Sequence, residues 1–111
     1  MFPFTPAATV EDQPCVTLRH WRVFEQPTGE RHLVGLVVAT GRARVSTALA
    51  QFDARTLRAT TGSGRAYRLD GQPDETGTSQ YVWSWWAILN NWVGARDVTQ
   101  SVLAAHRRSP N

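Results

Sequence analysis

Few residues of this 111-residue chain are able to do chemistry, and they are scattered along it. His20, His32 and His106 are its histidines, and no two stand at the i, i+4 spacing by which one helix face presents a metal-ligating pair. If the segments carrying His20 and His32 lie side by side, the two imidazoles form an acid–base pair suited to cleaving RNA, with a neighbouring arginine stabilising the phosphorane. Structural roles for the histidines are the competing expectation. Cys15 is the single cysteine, which excludes an internal disulfide or a thiolate cluster and points to a buried or inert thiol. Gly62-Ser63-Gly64-Arg65 offers backbone amides but lacks the strand–loop–helix setting and the lysine of a phosphate-binding loop, so it reads as a turn. The acidic pair Asp74-Glu75 sits in a polar loop where solvation is expected. No metal site, no cofactor and no catalytic centre are expected.

Binding chemistry is better represented. All twelve basic residues are arginine, and against nine acids they leave a net charge of +3. Seven of them lie between Arg31 and Arg68, where Asp53 is the single acid. Arg42, Arg44, Arg58, Arg65 and Arg68 are the candidates to follow a nucleic-acid backbone, with exposed aromatics stacking on bases. A solvated outer sheet face explains the same residues without a ligand. The five tryptophans are more informative, because Trp and Arg dominate protein–protein hot spots. Trp85, Trp86 and Trp92 follow a helical apolar stripe and are expected in the core. Trp83 falls off that stripe, beside Ala87, Asn90 and Asn91, and is expected to be exposed. Trp83, Ala87, Asn90 and Asn91 are therefore the candidate protein-binding residues.

These side chains need elements to carry them. Residues 1–14 hold Pro3, Pro6 and Pro14 and read as a flexible arm tethered by Phe2 and Phe4. Cys15 to Phe24 and Arg31 to Ala39 are rich in branched and aromatic residues and predict two strands around a Gln26-Pro27-Thr28-Gly29 turn. Arg44 to Phe52 predicts a third strand, with a short helix over Ser46 to Gln51 as the alternative. Thr56 to Leu69 predicts a hairpin in which Gly64 takes a left-handed conformation, setting Ala59 against Tyr67, Leu57 against Leu69 and Arg58 against Arg68. Val82, Trp85, Trp86, Leu89, Trp92 and Val93 then recur at helical spacing, with Thr78 or Ser79 as cap and Gly94 as terminator. A second short helix opens at Asp97 with Gln100 as its capping-box partner, on a stripe of Val98, Val102 and Ala105. The expected fold is α+β: a curled, small, barrel-like antiparallel β-meander of four to five strands over 15–71, followed by one or two C-terminal helices over 79–108 packed on the sheet, in one domain.

The motifs Trp21, Leu33-Val34-Gly35-Leu36-Val37, Val45-Ser46-Thr47 and Thr61-Gly62-Ser63-Gly64-Arg65-Ala66-Tyr67-Arg68-Leu69 are similar to those of a loose group of small bacterial and phage- or plasmid-borne proteins. That group's hairpin reads Thr-x-Ser-Gly-x-x-Tyr-x-Leu, and the likeness covers roughly residues 20–71. Here Asp70 is inserted before Gly71, and the tryptophan-rich C-terminus is additional. The resemblance carries no catalytic assignment and implies an accessory protein of a mobile element. No apolar run approaches the roughly 20 residues that cross a bilayer, and the N-terminus lacks the plan of a secretory signal, so a cytoplasmic protein is expected. The leading expectation is a non-catalytic protein-binding accessory module that engages a host protein complex or itself, in the manner of an inhibitor or regulator. Nucleic-acid binding through the arginines is the alternative, and a His-dependent ribonuclease the least favoured.

Overall fold

Strand β1 (Cys15–Glu25) organises the molecule. The computed structural model describes residues 9–108, with side chains described as far as Ala105; Phe2, Phe4 and the His106 side chain lie outside the described residues. β1 has to serve two half-sheets. It pairs antiparallel with β2 (Arg31–Val37) along one edge, and β2 pairs antiparallel with β3 (Ala43–Val45). Along its other edge the first half of β1 pairs parallel with β6 (Ala66–Leu69), the last strand of a second meander built from β4 (Leu49–Asp53) and β5 (Arg58–Thr61). The sheet order is thus β3-β2-β1-β6-β5-β4, and β7 (Arg96–Asp97) adds to β1 beyond the end of β6. Helices α1 (Thr78–Leu89) and α2 (Thr99–Arg108) follow. The expected α+β class is what the structure shows, as a seven-stranded mixed sheet. The parallel β1–β6 pair makes it mixed, and the sheet curls without closing.

The chain turns out of β3 at Ser46. The predicted third strand is two strands, because Ser46 satisfies the ladder with its side chain. Its N–H donates to the Leu33 carbonyl at 2.8 Å, while its Oγ accepts the Leu33 N–H at 2.8 Å in place of a backbone carbonyl. The backbone carbonyl of Ser46 is then free to turn and accept a hydrogen bond from His32 Nδ1 at 2.9 Å. The chain leaves β3, bends, and enters β4 at the far end of the sheet order.

Two apolar clusters result. Val16, Leu18, Trp21, Val23, Leu33, Val37, Ala59, Tyr67 and Leu69 fill the concave side, where Val98 and Val102 of the α2 segment cover them. Phe24, Val34, Ala43, Val82 and Trp83 form a second cluster under α1, on the opposite face of β1–β3. The spacing of the inward residues of β1 shows how one strand feeds the concave core along its whole length. Val16 and Leu18 alternate normally, and Trp21 and Val23 alternate again, but three positions separate Leu18 from Trp21. A bulge between Arg19 and Arg22 absorbs the extra residue, with His20 in the left-handed region at φ 52°. Without that residue every side chain beyond it would change face.

Gly35 lies opposite the bulge. A Cβ built there would stand 2.9 Å from the Arg19 carbonyl oxygen and 3.3 Å from both Leu18 Cβ and Trp21 Cα. Gly35→Ala should therefore destabilise the domain by about 1–3 kcal/mol. A lower midpoint at unchanged slope in urea unfolding checks this, and an unaltered midpoint would show that the bulge has room.

Candidate functional site

Helix α1 carries three of the five tryptophans, and both of its ends are built by residues outside it. Gly77 precedes it at φ 89° and supplies no side-chain cap. Asp74 takes that role. One carboxylate oxygen accepts the Ser79 N–H at 3.1 Å; the other accepts the Thr76 N–H at 3.2 Å and hydroxyl at 2.6 Å, and faces His20 Nδ1 at 3.3 Å. Asp74 is buried rather than solvated. Burial by itself pushes its carboxyl up, but the hydrogen bonds from Thr76, Ser79 and His20 together outweigh this and hold it below its ordinary value. The same residues tie the helix start to the bulge: Ser79 Oγ donates to the His20 carbonyl, the Asp74 N–H donates to the Trp21 carbonyl at 3.0 Å, and Arg22 donates to the Asp74 carbonyl at 2.7 Å. The sequence signal for this was the Asp-x-Thr spacing of an Asx-turn just ahead of a helix.

The other end stops earlier than Gly94. Asn91 adopts φ 55°, its N–H donates to the Ile88 carbonyl at 3.2 Å, and the Trp92 N–H donates to the Ala87 carbonyl at 2.8 Å. This is the paired 5→2 and 6→1 arrangement of a Schellman stop, with Asn in the position that glycine usually takes. Asn90 adds a side-chain bond to the Trp86 carbonyl at 2.9 Å. Asn90 and Asn91 are exposed, as a binding role requires, yet their conformation and bonds terminate the helix.

That stop turns the chain back and reverses the expected orientation of the tryptophans. Trp83 is only 4% exposed, and its ring stacks on Phe24 with centroids 4.9 Å apart and planes 3° from parallel. Trp92 folds under the helix to within 5.7 Å of Trp83 and 5.0 Å of the His32 ring. The expectation of an exposed Trp83 is therefore corrected. The stripe drawn through Trp92 and Val93 assumed an unbroken helix, and ending it at Asn91 rotates the buried face onto Ser79, Val82 and Trp83. Ala87 is half-buried against the same cluster. The residues left outside are Tyr81 (61% exposed), Trp85 (39%), Ile88 (70%) and Leu89 (47%) on α1, and Val93 (80%) just beyond it. Tyr81 and Trp85 meet edge to face at 6.4 Å. This outer face is the candidate site.

The arginines do not form one track. Arg44 donates to the Gln13 side-chain oxygen at 3.1 Å and Arg65, buried, donates to the Gln13 carbonyl at 3.0 Å, so both clamp the segment that leads into β1. Arg58 and Arg68 face each other across β5 and β6 and are exposed, as the hairpin register predicts, and Arg42 is exposed in the turn before β3. The exposed aromatics sit on α1 rather than among them. His20 and His32 do not meet either. His32 pairs with Phe24, four residues along β1 from His20, or roughly 13 Å at strand spacing. Both His32 ring nitrogens are engaged, Nδ1 with the Ser46 carbonyl and Nε2 with Gln26 at 2.9 Å.

Cys15 is exposed rather than buried, because it lies on the outward phase of β1. A cleft of about 250 Å³ runs beside β4, and the charged groups on its wall, Glu25 and Arg31, are paired to each other at 2.8 Å. Among the described residues no three His, Cys, Asp or Glu side chains converge as metal ligands, and no helix is long and apolar enough to cross a membrane. The chain matches no protein-family model, and no curated protein or solved structure matches it.

Two outcomes follow from this geometry. Trp83→Ala should cost about 3–5 kcal/mol of stability, as for other buried large-to-small changes, and thermal melting reads it as a fall in Tm; an unshifted Tm would contradict the stacked ring. Asp74 has a folded pKa below its unfolded value, so its contribution is present above that value, near 3.8, and is lost as the pH falls through the folded one. Asp74→Asn should therefore lower Tm at neutral pH, and the gap to the parent chain should narrow below the unfolded value; a gap independent of pH would exclude the carboxylate cap.

Proposed function

We propose that this chain is a non-catalytic protein-binding module whose contact surface is the outer face of α1 and the turn that follows it. One observation carries the reading: Tyr81, Ile88 and Val93 expose 61%, 70% and 80% of their surface, on a stretch, residues 76–95, that contains no charged residue. Apolar side chains held in water by a rigid helix gain roughly 25 cal/mol for every Å² that a partner covers. The centres of protein interfaces are depleted of charge and enriched in aromatics in the same way. Tyr81, Trp85, Ile88 and Leu89 stand at i, i+4, i+7 and i+8, the anchor spacing with which a helix enters an apolar groove. The mobile-element resemblance supplies a setting for such a surface, that of an accessory protein engaging a host complex.

The arginine face supports nucleic-acid binding less well, since Arg44 and Arg65 are spent on Gln13 and Arg58 has Asp53 opposite it in the ladder. Ile88→Glu places a charge in the face at a position that packs against nothing in the core, so Tm should move by no more than about 0.5 kcal/mol equivalent. In nuclease-treated lysate, a protein retained by the parent chain should be lost with Ile88→Glu and kept with the Arg58→Ala, Arg68→Ala double variant. Equal retention by the Ile88→Glu chain would overturn the assignment.

A further inference from the structure

We infer that the partner of the α1 face is a second copy of this chain, seated antiparallel across a twofold axis that passes beside position 85. The inference rests on the reading of that face as protein-binding and adds the identity of what covers it. A twofold interface is self-complementary, so residues at equal distances on either side of the axis must suit each other. Tyr81 lies four residues before position 85 and Leu89 four after it, with Ile88 alongside. In an antiparallel pair each Tyr81 meets the partner's Ile88 and the partner's Leu89, which sets a ring against branched aliphatic groups at both ends of the contact.

The protein is basic overall, and copies repel wherever arginines approach one another. From residue 76 to residue 95 the chain carries no charge, so pairing along this stretch brings no like charges together.

Five side chains at the exposures given above present on the order of 500 Å² per copy, at the upper end of what a monomer leaves uncovered. Two copies together would bury on the order of 1,000 Å², the low end for a specific interface and the size of a reversible one.

Sedimentation velocity of the full chain from low to high micromolar concentration tests this. A concentration-dependent shift from monomer to dimer is expected, and Ile88→Glu should raise the dissociation constant at least about tenfold while leaving the thermal melt in place at concentrations where both chains are monomeric. Orientation is tested in a Cys15→Ser background. Tyr81→Cys chains mixed with Leu89→Cys chains should oxidise to the mixed disulfide dimer in preference to either chain alone. A chain that remains monomeric throughout overturns the inference, as does a dimer indifferent to Ile88→Glu, and self-linking in preference to mixed linking overturns the antiparallel arrangement. If the chain is monomeric while Ile88→Glu still abolishes capture of a different protein, self-pairing falls and the binding face stands. If it is monomeric and Ile88→Glu changes no capture, both fall.

Discussion

The extra residue in β1 is the constraint on which the rest of the structure depends. One strand of eleven residues must pair with β2, β6 and β7 and must send side chains into two cores, and simple alternation would put Trp21 on the wrong side. The bulge at His20 restores the phase, and three consequences follow from it. Gly35 has to lack a side chain because the displaced backbone passes close to it. The Trp21 indole, buried by the phase change, needs an acceptor and finds the Gly71 carbonyl at 3.2 Å. The irregular carbonyls of His20 and Trp21 need donors, and the Asp74–Ser79 segment provides them. A buried backbone carbonyl without a partner costs about as much as a lost hydrogen bond, so the loop before α1 is held where the bulge demands it.

Through that loop the bulge also sets the orientation of α1. Asp74 caps the helix while bonded to the bulge, and Trp83 stacks on Phe24, which follows the bulge in β1. With its start and its buried ring both registered on β1, the helix has one rotation available. The Schellman stop at Asn91 then sends Trp92 back under the helix instead of along it. The inner side becomes a packed group of Phe24, His32, Trp83 and Trp92, and the outer side keeps Tyr81, Ile88 and Leu89 in water. β7 is fastened next to this by ion pairs of Arg22 with Asp97 and of Arg96 with Glu25, which also pairs with Arg31. The arginine hydrogen bonds hold the Glu25 carboxyl below its ordinary value; burial pushes the Asp97 carboxyl up, but hydrogen bonds from Arg22 and Thr99 outweigh it and hold this carboxyl low as well. A rigid helix with an apolar outer face is the result, and rigidity lowers the entropic cost of binding through it.

The β5–β6 hairpin was the most legible element, because a three-residue loop ending in a left-handed glycine leaves little choice of register. Gly64 has φ 98°, Ala59 pairs with Tyr67 and Arg58 with Arg68, as the turn chemistry requires. The strands β1 and β2 and the stripe of Val98 and Val102 were equally plain from side-chain type and period. The candidate site was legible as a region and not as a face. A tryptophan-rich, uncharged helix points to a binding element, but which tryptophans lie outside depends on where the helix stops, and Asn91 is a weaker stop signal than Gly94. The arginine cluster misled for a related reason: charge along a sequence does not reveal that Arg44 and Arg65 turn toward Gln13.

By itself, then, the sequence determined the elements that depend on local chemistry: strands β1 and β2, the two helical segments, the turn glycines Gly29 and Gly64, the hairpin register, and the neutral, aromatic character of residues 76–95. These follow from backbone sterics and from side-chain period, which act over a few residues. The tertiary structure decided the pairings between distant segments. β6 lies parallel to β1, Ser46 turns the chain from one meander to the next, Asp74 reaches back to His20, and Trp83 closes on Phe24. Each of these is settled by which buried groups find partners, a competition among residues far apart in the chain, and the exposed face of α1 is what that competition leaves in water.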